Sequence, residues 1–170
     1  MLKNTAVKFG LFTGLACIIW YLVAFFSGLH NSPSGIYVDF VPFIILIFGI
    51  SFSIKQTRDK DNGGIIDYKN GVKAGMATSL ITAVSLGIFI FFYYEFINPG
   101  FIDYFVGMAE KVWREQKYSD DDINKSIENI RMAFEPTTQM YKTFMAITFV
   151  GLLSSLILSL FMRRDRSFQS

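Results

Sequence analysis

Three ionisable side chains in this sequence could do chemistry at a membrane, because each stands beside a long apolar stretch. Asp39, Glu95 and Lys142 lie near the ends of such stretches, and we call them the polar mouth. Ionisable groups are costly inside a bilayer, so those that persist there often line a path for ions or solutes. Near the interface the cost is smaller, and the same residues could form either a solvated rim or a Glu95–Lys142 ion pair. The sequence leaves both interpretations open.

The other reactive side chains predict no catalytic centre. His30 is the only histidine, and its place at the end of an apolar stretch is typical of an interfacial or capping residue. Cys17 is the single cysteine, and a buried cysteine behaves as a small hydrophobe. The sequence carries no zinc-protease, phosphate-loop, dinucleotide-binding or nucleophile-elbow motif. We therefore expect a protein that is not an enzyme, with no catalytic residue, no metal site and no cofactor.

A short polar loop carries part of a calcium-binding pattern. Asp59, Asp61 and Gly64 match that pattern, but residue 63 is glycine and the twelfth position holds no glutamate. Two adjacent glycines more readily make a turn. We expect a turn here and no bound metal.

Composition places these residues in a membrane protein. The chain is 52% hydrophobic and only 18% charged, whereas soluble domains carry about 25% charged residues. About 20 apolar residues cross the roughly 30 Å of bilayer hydrocarbon. Buried helices of soluble proteins keep a polar face, which these stretches almost lack, so a soluble protein is not expected. The first stretch is longer than a signal-peptide core, so we interpret it as an uncleaved span. We predict a single integral membrane domain, 1–170, with four spans at about residues 6–29, 37–54, 72–96 and 139–162.

Basic residues predict the orientation of these spans. Lys and Arg collect on the cytoplasmic side of membrane proteins. Here they flank the start of span one, fill the link between spans two and three, and follow span four, whereas residues 98–137 hold eight acidic residues against five basic ones. The expected location is the bacterial cytoplasmic membrane, with both termini in the cytoplasm and residues 98–137 outside it.

A short sequence repeat predicts how the spans are arranged. Residues 6–15, AVKFGLFTGL, return as residues 71–80, GVKAGMATSL. Two spans separate the copies, so spans one and three run the same way. The predicted fold is an all-α membrane protein of four transmembrane helices, forming two parallel-oriented hairpins. Shared ancestry of the hairpins stays open.

Small residues recur at four-residue spacing on three of the spans. Lipid supplies no hydrophobic drive between helices, so close backbone approach at small residues holds them together. An intramolecular bundle is the default interpretation, and a homo-oligomer is the alternative. The helix-packing candidates are Gly10, Gly14, Gly71, Gly75, Ser79, Gly151 and Ser155.

The link at 98–137 is an amphipathic helical insert between spans three and four. Its apolar residues fall on helical faces, and Ser119 before three aspartates is typical of a helix N-cap. Two such helices could pair as a hairpin, pack on the bundle or a partner, or lie in the interface. Aromatic residues at span ends often form a belt at the interface. The expected belt comprises Tyr37, Tyr93, Tyr94, Tyr104 and Tyr141.

Four stretches of the sequence are distinctive: Arg58-Asp59-Lys60, residues 63–66, residues 71–75 and residues 94–101, YEFINPGF. Together they resemble a family of small bacterial membrane proteins that is catalogued as a domain of unknown function with four predicted spans. The resemblance covers most of the chain, and Gly100 departs from the acidic residue expected at its position. It implies a fold and a location but no activity.

These observations predict a structural, scaffolding or accessory role, exerted through helix packing and the insert. The alternative is a small oligomeric transporter or channel-like protein with a path near Asp39, Glu95 and Lys142. The expected partners are the lipid bilayer and either a second copy or another membrane protein, with no nucleic acid.

Overall fold

The computed structural model describes residues 4–164, and this part of the chain is helical. A 3₁₀ helix, Pro33–Phe40, leads into α2, and π-helical turns, Thr57–Asp61 and Tyr93–Ile97, follow α2 and α3. The prediction of an all-helical protein is confirmed. The α-helices of the described residues are α1 (Asn4–Phe26), α2 (Val41–Gln56), α3 (Tyr68–Phe92), α4 (Phe101–Glu115), α5 (Asp120–Ala133) and α6 (Pro136–Met162).

Four segments of the described chain are long and apolar enough to cross a membrane, as expected of a multi-pass membrane protein. They are Thr5–Phe26, Pro33–Asp61, Tyr68–Ile97 and Pro136–Met162. The first ends earlier than the sequence suggested, because the chain turns at Gly28 with a positive φ of 71°. Prolines open the helices of the second and fourth segments, where a missing backbone N–H costs little.

α3 lies at the centre of the bundle and packs against α1, α2 and α6. On the α1 side, the hydroxyl groups of Thr78 and Thr82 lie 3.3 and 3.1 Å from the carbonyl oxygens of Ala6 and Gly10. Moving four residues along α3, from Thr78 to Thr82, thus corresponds to moving four residues along α1 in the same sense, from Ala6 to Gly10. α1 and α3 therefore run in the same direction.

α6 packs against α3 along most of its length and runs the opposite way. Gly71 near the start of α3 faces Ser159 near the end of α6, and Gly87 near the end of α3 faces Met140 near the start of α6. The long helices thereby share two common ends, which differ in chemistry.

One end of the bundle gathers basic residues, among them Lys55, Arg58 and Arg164, which all lie near Asp59, and we call it the basic end. The backbones of Ile66 and Arg164 exchange two hydrogen bonds, of 3.1 and 2.8 Å, which join the α2–α3 link to the end of α6. Gly63 and Gly64 have positive φ values of 63° and 89°, a conformation that favours glycine. This geometry agrees with the predicted turn.

α4 and α5 form an antiparallel hairpin beside the opposite end of the bundle. Arg131 pairs with Asp103 at 2.9 Å near the base, and Arg114 pairs with Asp120 at 3.2 Å near the tip. Ser119 accepts a hydrogen bond from the backbone N–H of Asp122 at 3.2 Å, so the predicted N-cap is confirmed.

Candidate functional site

The small residues singled out in the sequence meet other helices of the same chain. A Cβ built on Gly75 would collide with the Ser155 side chain, and one built on Gly151 would collide with Ser79. Either addition would force α3 and α6 apart. The chosen glycines and serines therefore bring the α3 and α6 backbones close together, as small residues do in membrane bundles.

α1 uses the first copy of the repeat in the same way. A Cβ on Gly10 would lie 2.7 Å from the Cβ of Ile81, and one on Gly14 would lie 3.0 Å from the Cβ of Ser85. Gly49 of α2 likewise faces Thr13. All seven helix-packing candidates thus lie at contacts between helices of this one chain.

Buried hydroxyl groups line the centre of the bundle. The hydroxyls of Ser53 and Thr78 lie 2.7 Å apart, and Ser79 donates to the Ile147 carbonyl at 3.1 Å. Ser155 donates to the carbonyl of Gly151 within α6 at 2.6 Å. A buried polar group is costly unless hydrogen-bonded, and these four hydroxyls have partners, so they support helix packing without requiring a ligand.

The end opposite the basic end carries a cleft with a polar rim, and we call this end the histidine end after His30. The cleft encloses about 170 Å³ and lies among the ends of α1, α2, α3 and α6. Asp39 and Lys142, which are far apart in the sequence, both line it. The structure thus brings together two of the three residues of the polar mouth.

Glu95 does not join them. It is exposed on the π-helical turn after α3, outside the cleft lining. Lys142 Nζ donates to the carbonyl oxygen of Ala133 at 2.9 Å. The Glu95–Lys142 ion pair considered from the sequence is therefore wrong, because the start of α6 directs Lys142 towards the end of α5.

Asp39 is held by a neighbour that the sequence did not suggest. The buried Tyr21 hydroxyl donates to Asp39 Oδ1 at 2.7 Å. Trp20, one residue before, donates its indole N–H to the Val38 carbonyl at 2.9 Å. These two bonds fasten the 3₁₀ helix to α1 and fix the position of the carboxylate.

His30 is buried in the core of the histidine end. Only 2% of its surface is exposed, and its Nδ1 lies 2.6 Å from the Tyr93 hydroxyl. Its Nε2 is buried and has no hydrogen-bond partner among the described residues. Burial lowers the pKa of His30 below its ordinary value of 6.5, and the nearby Asp39 carboxylate partly offsets that effect. The neutral imidazole is therefore favoured.

Two tyrosines expected in the aromatic belt also lie in this core. Tyr93 and Tyr94 are buried, whereas Tyr37 and Tyr141 are exposed as a belt requires. The prediction for Tyr93 and Tyr94 is wrong because the chain leaves α3 through a π-helical turn, closed by a 2.7 Å bond from the Asn98 N–H to the Tyr93 carbonyl. Both adjacent rings thereby face inward.

Asparagines complete this buried cluster. Asn98 Nδ2 donates to the Tyr93 hydroxyl at 3.2 Å and to Asn31 Oδ1 at 3.2 Å. Asn98 belongs to the Phe-Ile-Asn-Pro stretch that carries the family resemblance. That stretch drew attention to Asn98 in the sequence, but it did not indicate that Asn98 contacts Tyr93 and Asn31.

The histidine end can bind and position groups, but its geometry offers no activated nucleophile. Cys17 is fully buried, with its sulfur 3.8 Å from the carbonyl oxygen of Pro42. Within residues 4–164, no group of three or more His, Cys, Asp or Glu side chains is placed to hold a metal ion. The cleft, with an exposed carboxylate and an exposed ammonium above an apolar floor, is the strongest candidate site for a ligand.

The fold and this cleft define a small polytopic membrane protein with a helical hairpin at one end. Over residues 8–164 the chain matches the family described as "Protein of unknown function (DUF4199)", and it belongs to that family. The resemblance found in the sequence is thus confirmed. No curated protein and no solved structure matches the chain.

Proposed function

We propose that this protein is a scaffolding or accessory protein of the bacterial cytoplasmic membrane, built as two parallel-oriented helical hairpins. Both termini lie in the cytoplasm, and the α4–α5 hairpin is an extracytoplasmic insert. The gathering of basic residues at one end supports this orientation, since Lys and Arg favour the cytoplasmic side. The common direction of α1 and α3 supports the parallel arrangement.

The observation that carries the accessory role is the uneven apolar surface of the α4–α5 hairpin. At its base, Phe101 is buried and stacks near Phe105 and Phe134, with ring centroids 6.2 and 5.7 Å away. Towards the tip, Met108 and Val112 on the same helix are exposed. This distal apolar surface is suited to packing against another membrane protein.

A second candidate is a small transporter or channel-like protein with a path near the polar mouth. The shared cleft of Asp39 and Lys142 favours it. Two observations favour the accessory role instead. Glu95 lies outside that cleft, and large apolar side chains, such as those of Leu46 and Ile50, are fully buried between the helices below it.

Affinity capture from native membranes tests the accessory role. The full chain is expected to recover a stoichiometric membrane protein, and the Met108→Lys and Val112→Lys double variant is expected to lose it. The matched control is Asn124→Lys with Asn129→Lys, which adds the same charge to exposed positions of α5 and should retain the partner. Equal recovery by all three proteins would contradict the role given to the distal apolar surface.

Reconstituted liposomes separate the two candidates. An accessory protein moves no ion or solute across them, and Asp39→Asn and Glu95→Gln leave its cellular role intact. A flux that both substitutions abolish would favour the transporter.

A further inference from the structure

The cleft at the histidine end has side chains of opposite charge on its rim and apolar side chains beneath them. Polar groups of Asp39, Gln139, Lys142 and Thr143 lie at or beside its mouth, and their helices bring them from the 3₁₀ helix and from α6. The rest of the lining is mostly apolar, and beside Tyr21 and Tyr94 it consists of Pro42, Phe43, Leu86, Ile90, Ala146 and Ile147. A site of this kind matches an amphiphile that has charge at one end only.

One side of the rim offers a fixed carboxylate. Asp39 Oδ1 accepts from the buried Tyr21 hydroxyl at 2.7 Å, which holds the group in place. Its second oxygen has no partner among the described residues, and the residue is exposed. A carboxylate oxygen of this kind accepts charge-assisted hydrogen bonds from an ammonium group.

The other side offers a fixed ammonium. Lys142 Nζ and Gln139 Nε2 both donate to the Ala133 carbonyl, at 2.9 and 3.0 Å, so the end of α5 positions both side chains. An ammonium has three donors, and the remaining two can face a phosphate oxygen. The Thr143 hydroxyl, on the next residue of α6, lines the same cleft.

We propose that this cleft binds the zwitterionic headgroup of an aminophospholipid, with the ligand's ammonium on Asp39 and its phosphate on Lys142. The apolar lining contacts the part of the acyl chains that lies nearest the headgroup, and the rest of each chain extends into the bilayer. A purely anionic headgroup would meet repulsion from Asp39, and a purely cationic one would meet repulsion from Lys142. Free phosphoethanolamine offers the same ammonium together with a phosphate monoester of about −1.5 to −2 charge, and it is the soluble source of this chemistry.

Native mass spectrometry of the full chain in detergent tests this proposal by titration with phosphatidylethanolamine and phosphatidylglycerol of identical acyl chains. The first lipid is expected to bind about tenfold more tightly, as one charge-assisted hydrogen bond implies. Asp39→Asn should reduce the affinity for phosphatidylethanolamine to that for phosphatidylglycerol. An asparagine oxygen still accepts from Tyr21, so this variant retains the local fold.

Lysine variants test the other side of the cleft. Lys142→Gln should weaken the binding of both lipids about tenfold, whereas Lys142→Arg, which keeps the charge, should bind like the parent chain. Glu128→Gln and Lys111→Gln, both exposed on the α4–α5 hairpin, are the matched controls and should bind like the parent. Thermal unfolding of each variant verifies that its bundle is intact.

Free phosphoethanolamine, added as a competitor, distinguishes the two sources. Displacement of the lipid shows that the headgroup alone is recognised, and selective lipid binding without displacement assigns the site to a membrane lipid. Both results support recognition of the zwitterion. Equal affinity for the two lipids together with no binding of phosphoethanolamine would overturn the proposal, as would folded Asp39→Asn and Lys142→Gln proteins that bind like the controls. These outcomes do not depend on capture of a partner protein, so failure of the lipid proposal would not contradict the accessory role, and the reverse also holds.

Discussion

Single residues stabilise this protein in two ways: small residues allow close helix packing, and a buried hydrogen-bonded cluster forms the histidine end. Small residues such as Gly75 and Gly151 let the backbones of α3 and α6 approach, because they have no Cβ that would collide with the opposite helix. At the histidine end, His30 and Tyr93 are fully enclosed and hydrogen-bonded to each other. Both kinds of residue allow direct tests by substitution.

Adding one methyl group at the α3–α6 contact should destabilise the protein. Gly75→Ala places a Cβ against the Ser155 side chain and 3.1 Å from Ile50 Cγ2, and overpacking of this kind costs about 1–3 kcal/mol. Gly107→Ala on α4 meets open space and should be neutral or stabilise by about 0.5–1 kcal/mol, because alanine is the better helix former. Reversible unfolding in mixed micelles measures both. A Gly75→Ala protein with unchanged stability but altered oligomer size would move this contact to an interface between copies.

Mild acid should weaken the fold through His30. Its pKa is lowered by burial in the folded protein and returns to about 6.5 on unfolding. As the pH falls below 6.5, the unfolded chain therefore takes up a proton that the folded protein resists. The free energy of unfolding should fall with pH in this window, by at most about 1.4 kcal/mol per pH unit.

Unfolding at pH 7.5 and 5.5 measures this effect. Because the chain has one histidine, His30→Gln should remove most of the pH dependence, and glutamine can still bond to the Tyr93 hydroxyl. Equal pH dependence of the two proteins would show that His30 does not carry it.

Among the elements, the α4–α5 hairpin is the least firmly attached to the rest of the fold. Its main anchor is Phe101, whose ring centroid lies 4.5 Å from that of His30 and 5.5 Å from that of Tyr94. The salt bridges within the hairpin are exposed, and exposed pairs contribute about 0–1 kcal/mol each. Attachment of the hairpin to the bundle therefore depends on this aromatic side chain and on the hydrogen bonds that Gln139 and Lys142 donate to the Ala133 carbonyl.

Removing the Phe101 ring should release the hairpin while the bundle stays folded. Phe101→Ala is expected to increase amide hydrogen exchange and protease cleavage in α4 and α5 several-fold, with little change in α3 and α6. Met108→Ala, on the exposed surface of the same helix, is the control and should behave like the parent chain. Uniform loss of protection throughout the protein would instead make Phe101 part of the global core.

At the scale of the whole molecule, the two ends of the bundle differ in their chemistry. Basic residues collect where the α2–α3 link meets Arg164, and the buried aromatic cluster and the cleft lie at the other end. This separation is what the proposed orientation requires, because basic residues are retained on the cytoplasmic side.

Thiol labelling in intact cells tests that orientation. Asp121→Cys, on the exposed hairpin, should react with an impermeant reagent that has crossed only the outer barrier, and Lys60→Cys should react only after permeabilisation. Cys17 is fully buried, so the unmodified chain provides the unlabelled background. The reverse pattern would invert the proposed topology.

The sequence alone determined the helical class, the four apolar segments and the Ser119 cap, because hydropathy and capping depend on residues close together in the chain. It also picked out the small residues at the helix contacts, since their four-residue spacing is a property of one helix. Only the tertiary structure decided that Asp39 and Lys142 line one cleft while Glu95 lies outside it, and that His30 is buried against Tyr93. Those contacts join residues that are distant in the chain. They depend on where the 3₁₀ helix and the π-helical turn direct each side chain, and no periodic pattern in the sequence records that direction.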